Sequence, residues 1–522
     1  MKGDSPVLLS VIAIVVCLLA SLCIEPLLRP RPLAPWRRTP TALAQHVGVV
    51  LAVYLFELAV FRRPWFATVV VLVFFGILIL INNVKMTMLR EPFIVQDFAY
   101  FTDALRHPRL YIPFLGYPRL ILATGAFAAA VAGGMALEVP LTDAMSGARF
   151  ALMLAVLAAS TAAVLWRATL TPAILCYVPQ DDLRQRGLLS CLLCYAVAEW
   201  RPLGSSDDPL CTLAAAMPGS EGNLVLIQSE SFFDARALYP GIRAGVLRCF
   251  DALGMTAMQR GALRVPAWGA NTVRTEFAVL SGRPQESLGV HRFNPYRRLA
   301  RSGITTLASI LRARGYRTVC VHPYAAAFYG RDRVMPLLGF DEFIDATAFT
   351  APSGDAPYVG DIAVAERIAL ELSHHDLGQP VFLFVITMEN HGPLHLESVA
   401  DGDVARLYST PPPPGCDDLT CYLRHQLNAD RMLDIVVNTL RTMATPGVLG
   451  FYGDHVPIMP QTYSSIGEPS AATPYLVWRS TDVGVRASSH DIDADELAGV
   501  LLRALAEAGQ SSRKVAANFT QR

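Results

Sequence analysis

The first third of the chain carries five long apolar stretches, at about 6–28, 43–61, 65–84, 120–137 and 150–166. Nothing in the sequence constrains the fold more. A helix of roughly 20 apolar residues crosses a bilayer, and a segment in lipid must satisfy its backbone hydrogen bonds internally. The first stretch is long, has only Lys2 ahead of it among basic residues and lacks a small-x-small cleavage site, so it reads as a retained helix rather than a signal peptide. Residues 1–170 are therefore expected to form a transmembrane domain of about five helices. The polar stretch 85–119, with Arg90-Glu91-Pro92-Phe93 and amphipathic aromatic runs, reads as lying along the membrane surface. Residues 171–220 read as a connector, with an interfacial helix at 188–200 and a polar break at 204–209.

Charge narrows the partners. The chain has 44 basic and 44 acidic residues and no basic tract of the nucleic-acid type, so no nucleic-acid partner is expected. The distribution poses a conflict. With a cytoplasmic N-terminus and five spans, the C-terminal part lies outside. That puts Arg29, Arg31, Arg37, Arg38, Lys85, Arg90, Arg106 and Arg109 outside, and leaves Lys2, Arg62, Arg63 and Arg149 inside. The positive-inside rule opposes this arrangement. The extracytoplasmic placement is nevertheless the expectation, for the functional reason given below.

Ten cysteines are present. Cys17, Cys23, Cys176, Cys191 and Cys194 read as small buried hydrophobes. Cys416 and Cys421 bracket an acidic loop after four prolines and read either as a local disulfide or as two free thiols.

From about residue 221 the pattern changes. Short apolar runs at 224–228, 318–321, 381–387, 448–452 and 475–478 read as strands, and 302–314, 362–373 and 419–443 read as helices. Nearly continuous apolar strands alternating with helices mean an α/β domain around a mainly parallel sheet, expected over 221–510 with a short tail at 511–522. In such sheets ligands bind beyond the carboxyl ends of the strands. Four strand ends carry polar residues: Ser229-Glu230-Ser231, then His322, then Glu389-Asn390-His391-Gly392, then Asp454-His455. Carboxylates and imidazoles converging on one edge suit a divalent cation. Each also has a plain reading as a paired or loop residue; their convergence favours a site. A nucleophile is supplied by the segment from Trp268 to Phe277, where Asn271 or Thr272 caps a helix running to Ser281 before Gly282. A threonine hydroxyl there sits at the positive end of the helix dipole. It reads equally well as a cap alone.

With Glu230 after the first strand, Thr272 in a T-x-x-x-E segment ending at Glu276, and Tyr452-Gly453-Asp454-His455 late in the chain, the sequence resembles the lipoteichoic acid synthase and phosphoglycerol transferase family, membrane relatives of the alkaline phosphatase and sulfatase fold. The resemblance implies that Glu230, Thr272, Asp454 and His455 hold one divalent ion, Mn2+ or Mg2+. It also implies that His322, Arg331 and His391 contact a phosphate or glycerol group. Phosphoethanolamine transferases and sulfatases typically show D-H-G; here Val456 follows His455, and no Cys-x-Pro-x-Arg nucleophile motif stands near the expected position. The implied reaction moves phosphoglycerol from phosphatidylglycerol to an envelope glycan or polymer through a phospho-threonine, in a bacterial cytoplasmic membrane with the catalytic domain outside. A lipid donor explains both the anchor and that side. The rival readings are a sulfatase- or phosphodiesterase-type hydrolase or phosphoethanolamine transferase on the same scaffold, and an inactive membrane binding or sensor protein.

Overall fold

The computed structural model describes residues 5–170, 173–201, 209–216, 222–352, 357–373, 379–481 and 487–520. Most of the polar break expected at 204–209 lies outside them. The chain divides into two compact units, Met1–Pro202 and Leu203–Arg522.

The first unit is built from the helices Ser5–Ile24, Pro40–Phe61, Pro64–Leu89, Tyr117–Leu137 and Gly147–Thr169. Five helical segments here are long and apolar enough to cross a membrane. Local chemistry sets their ends. Thr39 caps the second by accepting from the Ala42 amide, and proline occupies a first-turn position in the second, third and fourth, where its missing N–H costs nothing. The second and fifth helices approach closely at Gly48, where a Cβ would stand 2.5 Å from Leu165, as small residues permit between apolar helices. A shorter apolar helix, Leu188–Ala198, follows. It buries Leu188, Cys191, Cys194 and Tyr195. Cys17 is likewise buried, but Cys23 and Cys176 are exposed, contrary to the expectation that all five cysteines are buried. Cys23 lies on an uncovered face of the first helix, whereas Cys176 lies in the loop ahead of the helix Pro179–Arg186.

The second unit is a sheet between two helical layers. Its strands are β1 (Asn223–Ser229), β2 (Gln259–Arg264), β3 (Arg317–Val321), β4 (Glu342–Ile344), β5 (Val381–Ile386), β6 (Gly447–Gly453), β7 (Thr473–Arg479), β8 (Ser488–Ser489) and β9 (Ile492–Asp493). The order is β4-β3-β5-β1-β6-β7-β2-β8, with β9 also on β2. β4, β3, β5, β1 and β6 are parallel; β7 runs antiparallel to both neighbours. The central strands are apolar on both faces because both are covered. Val381, Leu383 and Val385 pack into one core with the helix Asp417–Thr442. Phe382, Phe384 and Ile386 pack into the other, with the helices Thr272–Ser281 and Leu497–Thr520. β1 lies between β5 and β6, so the chain crosses over it, and the carboxyl ends of three adjacent strands open at one place.

Two expectations change. The helix expected at 302–314 begins at Leu307. Gly303 is left-handed (φ 73°), and Thr306 and Ser309 cap each other's backbone at 2.9 and 3.1 Å, which starts the helix there. Cys416 and Cys421 are both buried free thiols, so the disulfide alternative fails; all ten cysteines are free. The last helix, Leu497–Thr520, also continues into the stretch expected as a tail.

Candidate active site

β1 and β6 pair in register from Asn223↔Gly447 to Ser229↔Gly453, so the residues just past their ends meet. Beyond β1 stands Glu230, and beyond β6 stand Asp454 and His455. All three are buried, and one oxygen or nitrogen of each lies within 4.8 Å of the others. His455 Nε2 is 3.3 Å from Asp454 Oδ2 and 3.8 Å from Glu230 Oε1. Thr272 Oγ1 stands 3.5 Å from the same nitrogen.

The donor set tests what belongs there. The Val456 carbonyl can only accept, and His455 Nδ1 lies 3.1 Å from it, so Nδ1 carries the hydrogen and Nε2 presents a lone pair. Asp454 Oδ1 accepts from the amides of Ser231 (2.8 Å) and His455 (2.9 Å). Asp454 Oδ2 is buried without a hydrogen-bond partner. His455 Nε2 thus lies 3.3 Å from a carboxylate oxygen that has no hydrogen-bond partner among the described residues, an arrangement that a cation between them would satisfy. Three oxygens and one imidazole fit a divalent ion such as Mn2+, Mg2+ or Zn2+. Burial, then the Asp454 carboxylate, push the Glu230 carboxyl up to about 8, against the opposite pull of His455.

Thr272 is the first residue of its helix, and Asn271 in the N-cap position takes the left-handed conformation (φ 68°). Thr272 is thus not the cap, and its hydroxyl turns to His455 instead. Thr275 on the same turn donates to the Asp454 carbonyl at 2.9 Å, tying the helix to β6. Left-handed non-glycine residues also adjoin two other site residues, Ser231 beside Glu230 (φ 53°) and Tyr329 two before Arg331 (φ 55°). Such conformations cost about 1–3 kcal/mol each and gather where a site fixes them.

Behind the threonine lies a second buried network. Glu276, one turn on, pairs with the Arg331 guanidinium and accepts from Tyr296 Oη at 2.5 Å. Arg331 Nη1 donates to His322 Nε2 at 3.2 Å, while His322 Nδ1 donates to the Ile386 carbonyl at 3.2 Å. Both nitrogens of His322 are therefore engaged within the protein. Burial and Arg331 hold its pKa well below the ordinary value, so it is neutral. His391 is bound through Nδ1 to the Gly392 carbonyl at 2.7 Å, and burial lowers its pKa.

Other contributors are not marked in the sequence. Thr387 Oγ1 accepts from the Glu230 amide at 3.0 Å. Glu389, at a strand end, turns instead to the Asp361 amide (2.6 Å) and to Asn428 (2.5 Å). Asp361 opens a helix and carries a carboxyl pushed well up by burial and by Glu389. Only distance along the folded chain joins these residues, and no local spacing signals them.

A buried acid, acid and imidazole at the switch point of a mainly parallel sheet, beside a threonine on a helix N-terminus, form a group that could hold a metal ion. The sulfatase family profile matches residues 222–506, and the chain belongs to that family. It is 29% identical over 436 residues to the capsular polysaccharide biosynthesis protein RkpI of Rhizobium meliloti (strain 1021), covering 79% of this chain and 77% of that one. Among solved structures, the Streptococcus pyogenes phosphoglycerol transferase GacH in complex with sn-glycerol-1-phosphate is 19% identical, with a TM-score of 0.45, 56% of this chain and 77% of that chain covered. The lipoteichoic acid synthase LtaP of Listeria monocytogenes is 18% identical, with a TM-score of 0.43 and 55% and 72% covered.

Proposed function

We propose that this chain is a phosphoglycerol transferase that takes its donor group from phosphatidylglycerol and passes it to an envelope glycan. The observation that carries the reading is the Thr272 hydroxyl, 3.5 Å from His455 Nε2, at the start of a helix and beside a carboxylate oxygen that has no other partner. Glu230, Thr272, Asp454 and His455 would hold one divalent ion. When bound, the ion lowers the pKa of the threonine hydroxyl and offsets charge on the phosphoryl oxygens.

The chain's own groups then carry a double displacement. In the first step a bond forms between Thr272 Oγ and phosphorus, and the bond from phosphorus to the diacylglycerol oxygen breaks. The hydroxyl proton of Thr272 ends on that oxygen. In the second step a glycan hydroxyl oxygen bonds to phosphorus, the threonine ester breaks, and the glycan proton returns to Thr272. His391 enters neutral because burial lowers its pKa, which suits a group that relays these protons through Nε2. Arg331, clamped by Glu276 and His322, supplies fixed positive charge toward the phosphate. His322 acts by orienting Arg331. The positive dipole end of the helix that begins at Thr272 favours the same anion.

Five helices able to cross a membrane support a lipid donor. The relative named for capsular polysaccharide biosynthesis supports a glycan acceptor. On this reading the second unit lies outside a bacterial cytoplasmic membrane, where lipid-linked decoration of envelope glycans takes place.

The test is mass spectrometry of the purified chain after incubation with phosphatidylglycerol and Mn2+, beside Thr272→Ala. A glycerophosphate adduct on the peptide bearing Thr272, absent from the variant, is expected. Diacylglycerol release undiminished in Thr272→Ala would overturn the reading.

A further inference from the structure

Hydrogen bonds within the first unit sort its polar segments into two ends of the helical bundle. At one end the Leu33 amide donates to the Arg184 carbonyl (2.8 Å), Asn82 donates to the Arg29 carbonyl (2.8 Å), and Gln180 donates to the Arg90 carbonyl (2.6 Å). Gln96 donates to Glu199 there (3.0 Å). At the other end the Leu141 amide donates to the Arg62 carbonyl (2.8 Å), and Glu138 accepts from the amides of Trp65 and Phe66 (3.0 and 2.7 Å).

The first end is basic on its outside, because most of its acids are used inside; the exposed Asp181 stands 3.7 Å from Arg184. Glu25 is buried on Arg38 (2.6 Å). Glu91 and Asp97 both hold Lys85 (2.7 Å each). Asp182 is buried and accepts from the Cys176 and Tyr177 amides and from Tyr195 Oη. Glu199 is buried on Gln96. The arginines are left outside. Arg29, Arg31, Arg37, Arg106 and Arg109 are exposed, and none makes a side-chain hydrogen bond or ion pair among the described residues. Between them stand bare apolar groups, Trp36 at 84% and Leu105 at 81% exposure, with Phe98 and Phe101 about half exposed. Cations flanking exposed aromatic and apolar side chains, at the ends of helices that can cross a bilayer, match the headgroup layer of an anionic leaflet.

We infer that this end of the helical unit is a docking belt for anionic phospholipid headgroups. The arginines bind lipid phosphates while Trp36 and Leu105 enter the acyl boundary. The belt accounts for an arginine excess that positive-inside sorting alone would assign to a cytoplasmic face. It does not depend on the transfer reaction proposed above, since it needs neither Thr272 nor a metal ion.

The experiment uses the full chain in nanodiscs of equal parts phosphatidylglycerol and phosphatidylethanolamine, followed by native mass spectrometry of the lipids that stay bound. Phosphatidylglycerol should be enriched several-fold on the wild type. Replacing Arg31, Arg37, Arg106 and Arg109 together by glutamine should abolish the several-fold enrichment at low salt, and the difference from the wild type should shrink at high salt. The pair Arg62→Gln and Arg149→Gln, at the C-cap of the helix Pro40–Phe61 and at the start of the helix Gly147–Thr169 respectively, should leave it intact. Wild-type helical circular dichroism and a wild-type elution profile in detergent report that the four-fold variant is folded. Equal retention of the two lipids by the wild type, or undiminished preference in the folded four-fold variant, would overturn the inference.

Discussion

A methyl group on residue 453 would stand 2.0 Å from the Phe232 carbonyl oxygen, a backbone atom that cannot turn aside. Glycine is therefore required where β6 passes the loop after β1, and this closeness is what sets Asp454 and His455 beside Glu230. Gly453→Ala should displace β6 and weaken Mn2+ binding roughly 10–100-fold, the range for lost support of metal ligands, while the chain still folds; titration calorimetry reads the change. The same ligands carry a pH dependence. In the metal-free fold the Glu230 carboxyl is pushed up to about 8, so a proton competes with the ion below that pH. Mn2+ affinity should rise with pH and level off above about 8. The stability sign follows. The folded state binds more protons than the unfolded chain between the ordinary carboxyl value of 4.5 and about 8, so this group costs metal-free stability increasingly across that window. Added metal should therefore raise the melting temperature most at the alkaline end. A metal affinity flat from pH 6 to 9 would contradict the cause assigned to Glu230.

Among the elements, the helix Thr272–Ser281 does two jobs. Its first residue faces the metal ligands, and Glu276, one turn later, holds Arg331 in a site where both side chains are almost wholly buried. Removing one partner of a buried pair strands the other charge, at a cost of about 3–5 kcal/mol. Glu276→Ala should lower the melting temperature sharply and abolish activity. Glu276→Gln keeps the shape and the Tyr296 contact, so it should fold better than the alanine variant while losing the placement of Arg331. Thermal unfolding of the two in parallel decides this, and equal melting temperatures for alanine variant and wild type would refute the pairing. This helix was legible in advance, from a polar N-cap to Gly282, because caps and glycines are local signals. The strands β5 and β6 were legible too, since continuous apolar runs mark strands covered on both faces. β2, β4, β8 and β9 were not. β4, β8 and β9 are very short, and the mixed composition of β2, Gln259–Arg264, carries no period. Glu230, Thr272, Asp454 and His455 stood out as polar residues at the exits of readable elements. Thr387, Asp361 and Tyr296 did not, because their role depends on who faces them across the fold. His322 stood out as a strand-end imidazole; that its two nitrogens meet Arg331 and the Ile386 carbonyl is visible only in the fold.

At the scale of the whole molecule, the sequence divides its work between an apolar helical unit and an α/β unit, and orientation in the membrane is what joins the two functionally. Hydropathy reads the spans well because twenty apolar residues in a row have few other uses. Charge reads the orientation poorly, because an arginine on a loop obeys sorting and ligand binding alike. The proposed reaction requires the face carrying Arg31 and Arg106 to be extracytoplasmic; the arginine count alone requires the reverse. A single cysteine at each of two places separates them. With the exposed native Cys23, Cys176 and Cys211 changed to serine, Arg106→Cys should react with a membrane-impermeant maleimide in intact spheroplasts. Arg63→Cys, at the opposite end of the bundle beside Glu138, should react only after permeabilisation. The reverse pattern would put the second unit in the cytoplasm. The proposed transfer would then need a cytoplasmic hydroxyl as its acceptor rather than an envelope glycan. The orientation experiment thus tests the substrate assignment without touching a catalytic residue.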